Sequence, residues 1–380
     1  IVQFDDHASS IRPIQISDPI SGLAALERSG LDVVTADSGF GPAVCSIEGV
    51  GCPADNCFCD EAQFWAYSRW DGSAWQPYKI GAGVSVVEPG AIEGWRWGPF
   101  ESPQTPATTM LAAQAALDWL ADMHDPNGSL RGSVAGTVET LLALGANRLD
   151  ADAWPPGEEQ TGAAGFVTVS GAPFAALGPA ESGKLAAALA ATASCWPAGA
   201  PRPAEYFDEA LGAYSSETGF HLWALLGALA LGEDVPAAAV QSIIDRAQPD
   251  GGWEWSEGWG TDTNTSALAV QALIAVGLPV DAPELRAAVA FLRTAQGEDG
   301  GFVYDPAQAD NGSDANSTAY AVQALWAAAE DVMGSDWSVD GATPIDYLLA
   351  AQLEDGSFEW QPGTGANALA TQQAGGALLG

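Results

Sequence analysis

Three strings recur in the second half of the chain: AQPDGGWEW at 247–255, AQGEDGGFVY at 295–304 and AQLEDGSFEW at 351–360. MHDPNGSL at 123–130 is a degenerate fourth copy. After two of these turns the chain re-enters a helix through DTNTSALAVQAL (262–273) and DANSTAYAVQAL (314–325), which superimpose residue for residue. Such repetition means stacked supersecondary units. Ala- and Leu-rich helical spacing begins near Thr108 and divides into six helix pairs, 108–145, 154–193, 204–231, 236–277, 281–330 and 343–379. Units without capping ends bury every lateral face by closing into a ring, so an all-α (α/α)6 toroid is expected over 108–380. Asp-Gly-Gly and Asp-Gly-Ser let each outer helix stop in a left-handed conformation, and the aromatic that follows folds back over the helix ends.

The first hundred residues differ. IRPIQIS, LDVVTA, FWAYSRW, AWQPYKI, VSVVE and IEGWRW are short, rich in β-branched and aromatic residues, and separated by Gly, Pro and Asp-Gly. SGLAALERSG reads as the one clear helix there, with Ser21 as cap and Gly30 as stop. A small α+β domain is expected over 1–100, joined to the toroid by a linker at 101–107 from the proline-containing ESPQTPATT. A chain of 380 residues suits two domains better than one core.

Charge excludes several partners. Against 49 Asp and Glu stand 12 Lys and Arg, a net −37, which repels phosphate backbones and anionic headgroups. No apolar run approaches the roughly 18 residues of a membrane span. The chain opens without a basic or apolar targeting segment and is expected to be a mature secreted or cell-surface form. Cys45, Cys52, Cys57 and Cys59 lie within fifteen residues without the paired CxxC of a zinc site, so two disulfides are expected, their connectivity open. Cys195 reads as a buried free thiol.

The turns QPDGGW, QGEDGGF and QLEDGSF resemble the QW motif of squalene and oxidosqualene cyclases, whose α/α toroid is shared with protein prenyltransferases, complement thioester domains and the cobalamin carriers. FWAYSRWDGSAWQPYKIGAGVSVVEPGAIEGWRW is similar to the small domain of transcobalamin and intrinsic factor, here placed first in the chain. The cyclase resemblance implies a DxDD acid, yet the nearest string is LDADAW with Asp150 and Asp152. Asp5 and Asp6 in FDDHASS lack the third acid of a magnesium cluster, Cys195, His124 and His221 are scattered over different repeats, and ASCWPAG is not a thioester string. On this ground the sequence leans to a non-enzyme.

The candidate ligand surface joins Trp65, Tyr67, Trp70, Trp75 and Tyr78, alternating along two strands of the small domain, to residues at the toroid mouth. Asp262, Asn264, Thr265, Asn316 and Thr318 stand at inner-helix starts, as helix caps or as donors and charge for a polar ligand. Trp255, Tyr304 and Trp360 are the second aromatics of the turns. His221 aligns with Ser266 and Thr318 and, by the carrier resemblance, is a candidate axial ligand to a corrinoid cobalt. Asp305, Asp310, Asn311 and Asp314 crowd one loop as candidate calcium ligands. The leading expectation is an exported non-catalytic protein that grips a small, flat, largely apolar ligand, a corrinoid first. The second is a surface protein assembling through self or other surface proteins. The third is a terpenoid-processing enzyme, which requires Asp262 or Asp314 to face an apolar cavity.

Overall fold

A computed structural model describes residues 1–4, 9–12, 14–37, 41–99, 106–155 and 161–379. Asp5, Asp6 and most of the linker lie outside the described residues. The chain forms two compact units, Ile1–Leu111 and Ala112–Gly380.

In the first unit, β1 (Val2–Gln3), β2 (Ser9–Ser10), β6 (Phe64–Trp70), β7 (Trp75–Pro77) and β8 (Glu93–Gly98) form a sheet of order β2-β1-β8-β6-β7. A second sheet runs β3 (Val33–Asp37), β4 (Pro42–Ile47), β5 (Val50–Gly51). Helix α1 (Gly22–Arg28) starts where Ser21 Oγ accepts from the Ala24 N–H at 3.1 Å, and Gly30 follows at φ 78°. The core gathers Val2, Leu23, Leu26, Ile47, Trp65, Tyr67 and Trp95. Two disulfides, Cys45–Cys57 and Cys52–Cys59, close short loops beside it. Each adds about 2–3 kcal/mol by restricting the unfolded chain, a useful supplement to so small a core. IRPIQIS forms no strand in its described residues, and VSVVE contributes only the Val87–Ile20 bridge. Strand β4 arises instead in the stretch read only for its cysteines, and its end, Cys45, Ser46 and Ile47, is buried throughout.

The second unit is helical. Its elements are α2 (Ala107–Asp122, begun at the end of the first unit), α3 (Val134–Ala146), α4 (Ala163–Ser170), α5 (Ala172–Ala175), α6 (Pro179–Ala191), α7 (Thr218–Ala230) and α8 (Ala237–Asp245). After the two-residue strands β9 (Trp253–Glu254) and β10 (Thr261–Asp262) come α9 (Thr263–Ala275), α10 (Pro283–Ala295), α11 (Ala315–Ala327), α12 (Pro344–Ala350) and α13 (Ala368–Ala377). Helices α3, α6, α7, α9, α11 and α13 pack each on the next, and α13 returns to α3, closing a ring. Small residues permit the close approach. A Cβ on Gly227 would fall 2.5 Å from Gly183 Cα, so α6 and α7 meet backbone to backbone. In the third pair the outer position is held by a 3₁₀ turn, Pro203–Tyr206, not a full helix.

The recurrent turns carry the ring. Gly251, Gly300 and Gly356 all have φ between 83° and 90°. A Cβ on Gly251 would stand 2.5 Å from Ala287 O on α10, and one on Gly300 2.7 Å from Thr343 O at the start of α12. Each turn therefore seats beneath the backbone of the next outer helix. The aromatics that follow, Trp253, Phe302 and Phe358, are fully buried, worth about 1.5–3 kcal/mol apiece. Cys195, expected inside, is exposed, because it lies in the loop after α6.

Gly277 offers an internal control, with φ 89° and nothing within 4 Å of the place a methyl would take. Gly277→Ala is expected to lose about 1 kcal/mol for left-handed backbone alone. Gly300→Ala adds overpacking and is expected to lose about 2–4 kcal/mol in urea denaturation followed by helical circular dichroism. Equal losses at the two positions would refute the seating of the turn against α12.

Candidate functional site

At the start of each inner helix the chain must satisfy orphan N–H groups. Asp262 does this for α9, with Oδ1 accepting from Thr265 N–H and Oδ2 from Thr265 Oγ1, both at 2.8 Å. Asp314 repeats the arrangement for α11 with Ser317, again at 2.8 Å. The second aromatic of the following turn then hooks back over the cap. Tyr304 O accepts from Thr263 N–H at 2.9 Å and Trp360 O from Ala315 N–H at 2.8 Å. In this way Tyr304 is held over Asp262 and Trp360 over Asp314.

These residues bound a cavity of about 470 Å³ whose lining includes Trp259, Asp262, Tyr304, Asp314, Trp360 and Gln361. Both carboxyls are 3% exposed, while Trp259, Tyr304 and Trp360 present open aromatic surface. Burial raises both carboxyl pKa values, that of Asp262 to about 6, against the stabilising hydrogen bonds from Thr265. The Trp360 side chain also bonds to Asp314, favouring its ionised form. Asp262 is therefore the carboxyl better able to hold a proton near neutrality.

The cavity thus assembles Asp262, Tyr304, Asp305, Asn311, Asp314 and Trp360 from the sequence candidates. Thr265 bonds to Asp262, and Thr318 Oγ1 donates to Asp314 O at 2.7 Å. Asn264 and Asn316 lie in the first turns of their helices, where Asn316 donates to Gln373 at 2.5 Å. Trp255 packs edge-on against Phe220. Asp305 caps the 3₁₀ turn at Pro306–Asn311, accepting from Ala307 N–H at 2.8 Å, and Asp310 is exposed on that turn. Among the described residues, no group of three or more His, Cys, Asp or Glu is gathered to hold a metal ion.

Two groups of candidates stand elsewhere. The aromatics of the first unit, some of them expected to face outward, are largely turned to its core. Trp65 and Tyr67 are buried, Tyr67 stacks between Tyr78 and Trp95 at 4.3 and 4.4 Å, and Trp70 packs on Trp75 at 5.3 Å. Strand β6 is enclosed on both faces because its alternate residues, Ala66 and Ser68, are small and buried as well. His221 is fully buried, with Nδ1 accepting from Tyr214 N–H at 3.1 Å and Nε2 donating to Ala239 O at 3.0 Å. Neither ring nitrogen is left for cobalt. It does here what Ser266 and Thr318 do for Trp253 and Phe302, whose N–H groups they accept.

Residues 208–368 match the family described as the squalene-hopene cyclase C-terminal domain. No curated protein matches the chain. Among solved structures, the chain is similar to the type II terpene cyclase MstE from Scytonema in complex with geranylgeranyl dihydroxybenzoate. The identity is 15% and the TM-score 0.48, over 72% of this chain and 96% of that one. It is also similar to Candida albicans protein geranylgeranyltransferase-I complexed with GGPP, at 21% identity and TM-score 0.36, over 43% and 48% of the two chains. The family match spans the repeats that carry Asp262 and Asp314. It overturns the expectation of a non-catalytic, corrinoid-type binding protein in favour of the terpenoid-processing alternative.

Two buried groups give the second unit a pH signature. His221 is lowered by burial from 6.5 to about 4. Between those values the unfolded chain takes up a proton that the folded chain refuses, so His221 removes stability as pH falls from 6.5 to about 4. Asp262, raised from 3.8 to about 6, acts oppositely and removes stability as pH rises across that range. The opposing trends are separated by substitution. The stability advantage of wild type over His221→Thr is expected to shrink by roughly 3 kcal/mol from pH 6.5 to 4. A constant difference across that window, measured by urea midpoints, would exclude the buried neutral imidazole.

Proposed function

We propose that this chain processes a terpenoid, with the Asp262 carboxyl as the acid that protonates an alkene. The observation that carries the reading is a carboxyl held near pKa 6 by burial while it lines a cavity in which Trp259, Tyr304 and Trp360 stand beside polar groups such as Gln308 and Asn311, a wall less apolar than expected. The match of residues 208–368 to the squalene-hopene cyclase C-terminal domain supports the same chemistry.

The step follows from the geometry. The protonated Asp262 carboxyl gives its proton to one alkene carbon, and positive charge develops on the other. The carboxylate left behind is stabilised by the N–H and hydroxyl of Thr265, already in place at 2.8 Å. The aromatic faces of Trp259, Tyr304 and Trp360 present negative quadrupole density to a cation. A neighbouring double bond captures the charge, the cyclised cation loses a proton to solvent, and the Asp262 carboxylate takes one up from solvent to restore the acid. The two disulfides support an extracellular setting for this chemistry. We also propose that the first unit shares its fold, and nothing more, with the small domain of the cobalamin carriers.

Asn caps helices as well as Asp does, so Asp262→Asn keeps the α9 cap and removes the transferable proton. Incubation with squalene or a polyprenyl alcohol is expected to give cyclised product by gas chromatography and mass spectrometry. Asp262→Asn is expected to lower the rate by about 100-fold or more, while Asp314→Asn is milder. The rate is expected to fall as pH rises above about 6, where Asp262 loses its proton. Absence of product from every polyprenyl substrate, or full activity in Asp262→Asn, would sink the proposal.

A further inference from the structure

Outer helix α10 carries a second groove, apart from the cavity at Asp262. Arg286, Val289, Ala290 and Arg293 stand at i, i+3, i+4 and i+7 along it, on one stripe of the helix. With Val280, which precedes α10, and Glu330, which follows α11, they line a space of about 450 Å³. Its lining shares no residue with that of the Asp262 cavity. Both arginines are exposed.

Cations are scarce in this chain, 12 Lys and Arg against 49 Asp and Glu. Lys184 and Arg202 are paired with Glu139 and Glu233 at 2.6 and 3.1 Å. Among the described residues, neither Arg286 nor Arg293 is paired with a carboxylate. Each donates instead to a backbone carbonyl, Arg286 Nη1 to Asp281 O at 2.5 Å and Arg293 Nη1 to Asp336 O. The Arg293 guanidinium also lies 4.0 Å from the centroid of the Trp337 ring. These contacts hold both forks in place, and a guanidinium has five N–H donors, so each keeps donors to spare. Helix stability does not account for the pair. Arg293 complements the negative end of α10, but Arg286 is the fourth residue of the helix, near its positive end, where a cation is unfavourable.

At 1.5 Å per residue the two arginines are about 10 Å apart along the helix. A polyanion or an anionic bilayer extends beyond them onto a molecule of net charge −37 and is repelled there. A short acidic segment places its charges on the arginines alone. A helix repeats the spacing at i and i+7, and Val289 and Ala290 then meet its residues at i+3 and i+4. Glu330, whose Oε2 accepts from Trp337 Nε1–H at 2.8 Å, requires a neutral group opposite.

We propose that this groove docks an acidic amphipathic helix of a partner protein, with carboxylates at i and i+7 on the two arginines and apolar residues between them. The proposal is independent of the terpenoid reading.

The probe is a fluorescein-labelled, Ala-rich helical peptide with Glu at i and i+7 and Leu at i+3 and i+4, titrated with the full chain at low salt and read by fluorescence anisotropy. One control peptide has Gln for both Glu, and another has its Glu at i and i+5, on different faces. The in-phase peptide is expected to bind at least about tenfold more tightly than either control. Arg286→Gln should reduce that ratio to below about threefold, and Arg286→Lys should keep part of it, because the charge survives and the fork does not. Arg293→Gln also removes the contact with Trp337, so Arg286 carries the test. Absence of saturable binding up to about 1 mM, equal binding of the in-phase and i, i+5 peptides, or an unchanged ratio in Arg286→Gln overturns the proposal. Arg286-dependent binding to phosphatidylserine vesicles without selectivity among the peptides overturns it too, and assigns the groove to a lipid surface.

Discussion

One hydrogen bond ties each recurrent turn to the inner ring. The N–H of the residue that folds back after the turn donates to a side chain one turn into the next inner helix. Leu130 donates to Thr137, Trp253 to Ser266, Phe302 to Thr318 and Phe358 to Thr371, at 2.8–2.9 Å, and Tyr214 donates to His221 at 3.1 Å. Each bond contributes about 0.5–1.5 kcal/mol, and leaving such a buried N–H unmet costs about 1–3 kcal/mol. Its larger effect is positional. It fixes where the first aromatic enters the core, and so where the second aromatic, two residues on, can reach the preceding helix start. Tyr304 and Trp360 come to stand over Asp262 and Asp314 through this chain of constraints.

That periodic part is legible in the chain. Asp-Gly-Gly, the buried aromatic and the Asp-x-Asn-x-Ser/Thr entry into the inner helix each follow from a local backbone need, so the residues announce their positions. Alignment places His221 with Ser266 and Thr318, but periodicity does not distinguish a hydroxyl or imidazole that accepts from backbone from one that awaits a ligand. Only the Tyr214 N–H and the Ala239 carbonyl decide it. The aromatic strands of the first unit mislead for a related reason. Alternation implies one solvated face, yet Ala66 and Ser68 are as deeply buried as Trp65 and Tyr67. The pairing of Lys184 with Glu139 has no periodic signature, since it joins single residues on α3 and α6.

Charge is distributed against this background with economy. The exterior of so acidic a chain needs little explanation beyond solubility. Lys184 is different. Burial opposes its charge, but Glu139, Tyr320 and Glu181 nearby outweigh that effect and raise its pKa above the ordinary lysine value. A partly buried ion pair is a weak device for stability, since apolar residues of similar volume serve as well or better.

The same argument applies to the carboxyls at the rim. Helix starts around the ring are capped in several ways: Ser133 accepts from Gly136 N–H for α3, Asn367 from Ala370 N–H for α13, and α6 begins at Gly178 with no side-chain cap at all. Capping therefore does not demand a carboxylate, and Ser or Asn meets the need without a charge to desolvate. At Asp262 and Asp314 the chain nevertheless buries an acid, at the two helix starts overhung by Tyr304 and Trp360. A backbone requirement shared by all the repeats has been met there with the one capping chemistry that can also carry a proton. The departure from symmetry, more than the ring itself, supports the role proposed for Asp262.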